Sequence, residues 1–295
     1  MKPYAYVEPG TVSGVIEVLV GHAGRAHLLA GGTALVVLLQ QGFVEADLVV
    51  GLRPRGALAE LAGIRREADG GLHLGALTTI RAVERDPRVQ AALPALAQAA
   101  ARVASPRIRN QATLGGLLAH ADPAADITPV LLVLDATVEV AGPAGARRLA
   151  VADLARDVFE TVLGTDELLV GVHVPPVAPS ARIASVAFRP RTSEDYATVS
   201  VAVRLDRDAG GTVTEARIAL GSVAGTAVRA RAAEAALIGG QADATAIEAA
   251  SRLVDEAISP DDDTRGSAAY KGRMARVWTA RALAQAAASR DGLAA

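Results

Sequence analysis

Two glycine-rich loops lie far apart in this 295-residue chain, Ala30-Gly31-Gly32-Thr33 and Thr113-Leu114-Gly115-Gly116. Each follows a strand or turn and precedes an apolar stretch, a setting in which consecutive backbone N–H groups can be aimed at an anion. Two such loops suit a diphosphate held from both sides. Shortly after the second comes Asp122-Pro123-Ala124-Ala125-Asp126, whose carboxylates can accept hydrogen bonds from ribose hydroxyls. The combination points to a dinucleotide cofactor. A glycine pair by itself is as often a plain turn, so the surroundings of each pair carry the argument.

The elements that must position these loops read as three regions. In residues 1–55, a strand at Tyr4–Val7, a helix at Val12–Val20, a strand at Ala26–Ala30, a helix at Thr33–Gln41 and a buried strand at Leu48–Val50 make a small α/β unit with its loop at a strand–helix junction. Residues 56–177 hold short strands around Leu72–Leu74 and helices at Thr79–Asp86, Leu93–Val103 and Ile127–Leu134. Strands at Thr137–Val140 and Glu167–Val174 complete that region. Pro175-Pro176-Val177-Ala178-Pro179 is a linker. In residues 178–295, strands at Ile183–Phe188, Val199–Leu205 and Val213–Gly221, with a turn at Asp208-Ala209-Gly210-Gly211, precede alanine-rich helices at Val228–Ile238, Ala244–Ile258 and Ser267–Ser289.

Composition narrows the function classes. With 51% hydrophobic and 21% charged residues the chain is globular, and its net charge of -2 gives no general attraction to nucleic acid or an anionic membrane. No apolar run reaches the roughly 18 residues of a transmembrane span, and the start Met1-Lys2-Pro3-Tyr4 lacks the apolar core of a signal peptide. A cytoplasmic protein is the expectation. There is no cysteine, so the chain can hold no ordinary iron–sulfur cluster by itself. His22, His27, His73, His120 and His173 are scattered without metal-type spacing, and no metal site is expected. Lys2 and Lys271 are the only lysines among 30 basic residues.

The stretch Ala104-Ser105-Pro106-Arg107-Ile108-Arg109-Asn110-Gln111-Ala112-Thr113-Leu114-Gly115-Gly116, continuing to His120-Ala121-Asp122-Pro123-Ala124-Ala125-Asp126, resembles the signature of the flavin-carrying medium subunits of molybdenum hydroxylases. That family includes aerobic carbon monoxide dehydrogenase and the flavin domain of xanthine dehydrogenase. Leu28 to Thr33 resembles its first diphosphate loop and Gly75-Ala76-Leu77-Thr78-Thr79 its inter-loop strand and turn. Phe188-Arg189-Pro190-Arg191 and Glu194-Asp195-Tyr196-Ala197 resemble the entry to its C-terminal domain. The resemblance covers nearly the whole chain. It implies an α+β fold, with two α/β FAD-binding subdomains of the PCMH type followed by a C-terminal antiparallel sheet with helices. It also implies noncovalent FAD between the first two subdomains, with the third closing over the flavin end.

Carried over residue by residue, the resemblance gives Ala30, Gly31, Gly32, Thr33, Ala34 and Leu35 as amide donors to the diphosphate, with the Thr33 hydroxyl beside them. Thr113 matches a second hydroxyl donor, while Gly115 and Gly116 let the main chain approach phosphate. Asp126 matches an acidic ribose contact and Asp122 a turn and capping residue. Leu169 matches an apolar position beside the flavin. Arg189 stands where relatives carry a basic residue near the ring, a charge suited to a reduced anionic flavin. Tyr196 is placed over or beside the isoalloxazine, against the alternative of a sheet-face tyrosine. His120 reads as a structural histidine at a turn rather than a covalent flavin site, and Arg107 and Arg109 as solvated unless they meet phosphate or a partner.

The family pattern is broken at Leu117, where relatives carry Asn or Ser, at Gly51-Leu52, and in Leu154–Glu160, which lacks an aromatic-glycine turn. The resemblance implies an electron-transfer subunit. Its partners are a small [2Fe-2S] subunit and a large molybdenum-cofactor subunit, assembled as a dimer of heterotrimers, with no catalytic residue of its own. Two other functions stay open: a stand-alone flavin oxidase or dehydrogenase, for which no general base declares itself, and a flavin-free binding module on the same fold.

Overall fold

The computed structural model describes residues 3–22 and 24–288. In chain order the elements begin with β1 (Ala5–Val7), α1 (Val12–Gly21), β2 (Ala26–Leu29), α2 (Leu35–Gln41), β3 (Leu48–Gly51), β4 (Ile64–Arg66) and β5 (Leu72–Gly75). Six helices follow: α3 (Ile80–Arg85), α4 (Pro87–Ala92), α5 (Pro94–Ala101), α6 (Pro106–Arg109), α7 (Leu114–His120) and α8 (Ile127–Val133). Next come β6 (Thr137–Gly142), β7 (Gly145–Ala150), β8 (Ala155–Asp157), β9 (Glu160–Thr161) and β10 (Leu168–Val174). The remaining elements are β11 (Arg182–Phe188), β12 (Val199–Arg207), β13 (Val213–Gly221), β14 (Val228–Arg229), α9 (Arg231–Ala235), α10 (Ala244–Arg252) and α11 (Ala268–Ala288). They form two compact units, one from Met1–Asp86, Ser105–Ala121 and Ala136–Pro175, the other from Pro87–Ala104, Asp122–Asp135 and Pro176–Ala295.

In the first unit, β1, β3 and β2 form a parallel sheet with β3 central and buried. Thr11 caps α1 by accepting from the Gly14 amide at 3.0 Å, and α1 buries Val15 and Leu19. A second sheet has the order β4-β5-β10-β6-β7, antiparallel throughout. Leu72, Leu74, Val138, Val140 and Val172 are buried in it, as the two-residue period of strands requires. Across its other face runs a polar row. Arg65 donates to Nδ1 of His73 at 2.7 Å, and His73 Nε2 reaches Glu139 at 3.1 Å, which also pairs with Arg148. Against the upward push of burial, Arg148 and His73 hold the Glu139 carboxyl below its usual range. The His73 ring crosses β10 at Gly171, where any Cβ would collide with it.

In the second unit, β11-β12-β13-β14 form an antiparallel sheet covered on both faces. Val199, Val201, Val203 and Leu205 of β12 pack with Ala233, Ala250, Ala275, Ala282 and Leu283 of α9, α10 and α11. The alternate residues Ser200, Ala202, Arg204 and Asp206 face the opposite way. There α8 packs on β12 and β13, and α5 packs on both β11 and α8. Arg217 and Arg229 bond the last carbonyls of α8, at Val133 and Leu132, 3.3 and 3.4 Å away. Lys271 of α11 is buried, with Nζ 2.7 Å from the Asp261 carbonyl and 2.9 Å from Asp263 Oδ1.

The α+β class and most expected elements are present, with several corrections. The expected helix at Val228–Ile238 starts as an edge strand. Arg229 holds Glu234 and the α8 carbonyl there, and only Arg231–Ala235 is helical. The helix expected from Thr33 begins at Leu35, and that expected at Ala244–Ile258 gives way after Arg252 to a 3-10 turn, Leu253–Glu256. The last residue of the expected helix Ser267–Ser289 lies outside the described residues. Arg109, expected in solvent, is buried against Glu84 at 2.9 Å.

Candidate cofactor site

The first glycine loop leaves β2 at Leu29 and enters α2 at Leu35. Gly32 takes the left-handed φ of +73° that turns the chain. The helix closes its first turn through Val36 N to Gly32 O and Leu38 N to Ala34 O. The five amides from Gly31 to Leu35 donate to no acceptor among the described residues. Such a run is an anion receptor, because each N–H carries a partial positive charge that only water or a ligand satisfies.

The second loop is built differently. Thr113 is the N-cap of α7, so Gly115 and Gly116 belong to a helix rather than a loop. Its amides are already engaged: Leu114 with Thr78 O at 2.9 Å, Gly115 with Ala76 O at 2.8 Å, Gly116 with Thr113 Oγ1 at 3.2 Å and Leu117 with Thr113 O at 2.9 Å. The expectation that both loops aim bare amides at an anion is therefore corrected. Only the first presents unpaired amides. Gly115 faces inward, where a Cβ would sit 2.6 Å from the Ala76 Cβ, so its missing side chain serves packing. Gly116 is exposed, and a Cβ on it would meet only Thr113 Oγ1 at 2.9 Å and Ala30 Cβ at 3.9 Å. Thr113 accepts through Oγ1 and keeps its own O–H free to donate.

The two loops touch. A Cβ on Gly31 would fall on the carbonyl oxygen of Gln111, with the Gln111 carbonyl carbon at 2.7 Å and Ala112 Cα at 3.0 Å. The free amides of 31–35 and the open side of Gly116 thus belong to one patch of the first unit. In the same unit Leu169 is buried in β10, opposite Val140 and beside a bulge. His120 ends α7 and its ring stacks on Phe159 at 4.8 Å. Phe159, with φ +57°, supplies an aromatic in the segment 154–160 that departs from the family pattern.

The remaining expected contacts lie in the second unit. Asp126 and Arg189, expected at different parts of the cofactor, form one ion pair between Asp126 Oδ2 and a terminal guanidinium nitrogen, with side chains 6% and 7% exposed. Arg189 also donates through Nε to Asp195 O at 2.8 Å. Burial pushes the Asp126 carboxyl up to about 6 although Arg189 and Arg102 both oppose the rise. Its second oxygen, Oδ1, is buried with no partner. Tyr196 is 59% exposed; partial burial of its phenol and the Asp122 carboxylate that accepts its hydrogen bond push its pKa upward. Asp122 Oδ1 also accepts from Ala124 N at 2.8 Å, a turn-making bond.

Sequence reasoning passed over Arg102, which follows the alanine run 99–101 and donates to Ser185 Oγ at 2.6 Å. The signal was there: a lone charge closing an otherwise buried apolar helix needs a polar partner inside. No described group of three or more His, Cys, Asp or Glu is placed to hold a metal ion. No helix among the described residues is long and apolar enough to cross a membrane.

These features fit a diphosphate-bearing cofactor. In the first unit, five unspent amides and a free hydroxyl suit the anionic oxygens of a diphosphate; in the second, the orphaned buried carboxylate oxygen suits a hydroxyl or N–H donor. Comparisons with known proteins agree. Residues 2–177 match the family described as the FAD binding domain in molybdopterin dehydrogenase, and residues 184–286 match the CO dehydrogenase flavoprotein C-terminal domain. The carbon monoxide dehydrogenase medium chain of Hydrogenophaga pseudoflava is 33% identical over 280 residues, covering 95% of this chain and 96% of that one. The xanthine dehydrogenase FAD-binding subunit of Escherichia coli O157:H7 is 30% identical over 290 residues, covering 98% and 97%. Among solved structures, carbon monoxide dehydrogenase from Hydrogenophaga pseudoflava superposes with a TM-score of 0.92 at 35% identity, over 97% of this chain and 98% of that one. Quinoline 2-oxidoreductase from Pseudomonas putida 86 gives 0.90 at 34% identity, over 97% and 98%. This chain belongs to the flavoprotein family of the molybdopterin dehydrogenases, that of the carbon monoxide and xanthine dehydrogenase medium subunits.

Proposed function

We propose that the chain binds FAD noncovalently and serves as the electron-transfer subunit of a heteromeric molybdenum hydroxylase. In this reading it takes electrons from the iron–sulfur clusters of a small partner and passes them to an acceptor. A large molybdenum-cofactor chain completes a heterotrimer, two of which associate. The observation that carries the cofactor half is the run of unpaired amides from Gly31 to Leu35 set against the open Gly116. FAD supplies exchange of one or two electrons, which suits a junction between one-electron clusters and a two-electron acceptor.

The chain's own residues do the holding. The amides of 31–35 and the hydroxyls of Thr33 and Thr113 receive the diphosphate, while Gly116 leaves room for it. By the family resemblance, Asp126 is assigned a donor on the cofactor, and Leu169, Arg189 and Tyr196 are assigned to the flavin. Arg189 is already neutralised by Asp126, so its role is to fix that carboxylate rather than to present a bare charge. With no cysteine in these 295 residues, clusters must come from outside them, in this reading from the small partner.

Purification from the native host tests this. The expected result is a yellow protein that releases free FAD on acid treatment and co-purifies with a cysteine-rich and a large chain. An isolated chain that turns over an organic substrate at about 1 per second or faster would favour a stand-alone oxidase. Flavin retained by precipitated protein would revive His120 as a covalent site.

A further inference from the structure

A chain of backbone contacts in the first unit joins Leu169 to the two glycine segments. In β10, Leu169 pairs with Val140 and Gly171 with Glu139, so the residue between them, Val170, bulges with no partner on β6. Along its other edge β10 pairs with β5 through Gly171 and Gly75, and one step further the Ala76 amide donates to the Val170 carbonyl at 3.0 Å. The Ala76 carbonyl in turn accepts from the Gly115 amide of α7 at 2.8 Å. One residue thus holds the bulge with its N–H and α7 with its C=O. Beside it, Leu114 donates to Thr78 O at 2.9 Å and Ile80 to Ala112 O at 2.8 Å, and it is Ala112 and the Gln111 carbonyl that lie against Gly31.

The fit at residue 76 is close. Ala76 is buried, and a Cβ on Gly115 would stand 2.6 Å from the Ala76 Cβ, 2.9 Å from its carbonyl oxygen and 3.1 Å from its Cα. Glycine is unfavourable inside a helix, and here its bare face is what lets α7 lie on residue 76. A bulge bends its strand and re-aims the neighbouring side chains, and a bond from outside to the bulged carbonyl fixes that bend.

We infer that Ala76 is a positioning residue of the proposed cofactor site: its two peptide groups set the spacing between the bulge at Leu169 and the part of α7 that presents Thr113 and Gly116. The inference rests on the reading of the 31–35 amides, Thr113 and Gly116 as the diphosphate site and of Leu169 as a cofactor contact. A cofactor that meets both Thr113 and Leu169 does so at one spacing, and hydrogen bonds weaken once donor and acceptor move past their normal separation. A shift of α7 against β10 therefore costs one contact or the other.

The test titrates the full, flavin-stripped chain with FAD by fluorescence, at a temperature where circular dichroism shows each variant folded. Gly115→Ala drives a methyl group into Ala76 and should weaken the dissociation constant about tenfold. Adding Ala76→Gly removes the nearest colliding atom and should recover part of that loss, which it could not do if the methyl met the cofactor directly. The visible circular dichroism of bound FAD should depart from the wild-type form in Gly115→Ala and return toward it in the double variant. A role in packing alone lowers the melting temperature and leaves the affinity and the flavin spectrum of the folded chain in place. An unchanged dissociation constant in folded Gly115→Ala overturns the inference, as does a loss that Ala76→Gly leaves unrelieved. Should Gly115→Ala not fold, Ala76→Gly alone keeps both backbone bonds but gives α7 slack, and must weaken FAD binding severalfold; no change overturns the inference equally. A wild-type chain that binds no FAD sinks the flavin reading and the inference with it, whereas FAD binding that these variants leave unmoved sinks the inference alone.

Discussion

Replacing Gly31 by alanine tests the contact on which the proposed diphosphate site depends. The added Cβ would land on the Gln111 carbonyl oxygen, with the carbonyl carbon at 2.7 Å and Ala112 Cα at 3.0 Å. All three are backbone atoms, so no flexible side chain can swing aside, and the loops must part by roughly an ångström to restore ordinary carbon contacts near 3.5–4.0 Å. Overpacking of this kind costs typically 1–3 kcal/mol, and a purely backbone collision belongs at the top of that range. If the loops separate, the loss falls on FAD binding, where about 3 kcal/mol is roughly a 150-fold weaker dissociation constant. The assay is fluorescence titration of flavin-stripped chain with FAD, alongside circular dichroism to confirm folding. Gly10→Ala is the control, since a Cβ there meets nothing within 4 Å. Gly31→Ala that binds FAD within threefold of the control and melts at the same temperature would refute the contact and the reasoning built on it.

Ala121 caps α7 with φ 51° and ψ 38°, a left-handed conformation costing an alanine about 1–2 kcal/mol. Ala121→Gly should stabilise the chain by about 0.5 kcal/mol after glycine's greater unfolded freedom is deducted, and a lower melting temperature would contradict this. Gly171→Ala should displace the His73 ring from Glu139 and destabilise the first unit by about 1–3 kcal/mol, read by denaturant unfolding; an unchanged midpoint would mean the ring does not cross β10 there. Asp126 titrates near 6 in the folded chain against 3.8 as its ordinary value, so the folded state binds its proton more tightly. Its contribution is present below pH 4 and is lost as pH rises through 6, by at most about 3 kcal/mol. The stability gap between flavin-free wild type and Asp126→Asn should therefore vary over pH 4–7, and a constant gap would contradict the shift.

Much of this was legible before any coordinates. The hydrophobic periods of Val12–Val20 and Val199–Leu205 gave their elements to within two residues, because each has one clear buried face. The turn Asp208 to Gly211 was equally plain: the Asp208 carboxylate accepts from the Gly210 and Thr212 amides, both at 2.9 Å, and Gly211 takes φ +83°. Other features depend on partners distant in sequence. Residues 228–230 carry helix-forming composition, yet they pair with β13 because Arg229 finds Glu234 and the end of α8. The glycines at 115 and 116 would disfavour a helix in isolation, but the Thr113 cap and close packing on Ala76 decide otherwise. In the site, the local sequence marked the glycine loop at Ala30–Thr33, and the extension of its amides to Leu35 came from the family resemblance. The pairing of Asp126 with Arg189 was not legible there, since charges 63 residues apart announce no partnership.

Lys271 gives the chain an unusual chemical silence. It is one of two lysines, and its amine is folded between the Asp261 carbonyl and Asp263. Amine-reactive crosslinkers applied to an assembled complex will therefore pass over nearly the whole surface of this subunit, and a crosslink map without it is no sign that it stands apart. The same burial turns Lys271 into a clock: its acylation can proceed only when the turn at 261–263 lifts away from α11, so the rate of labelling at this one nitrogen reports the opening of that corner.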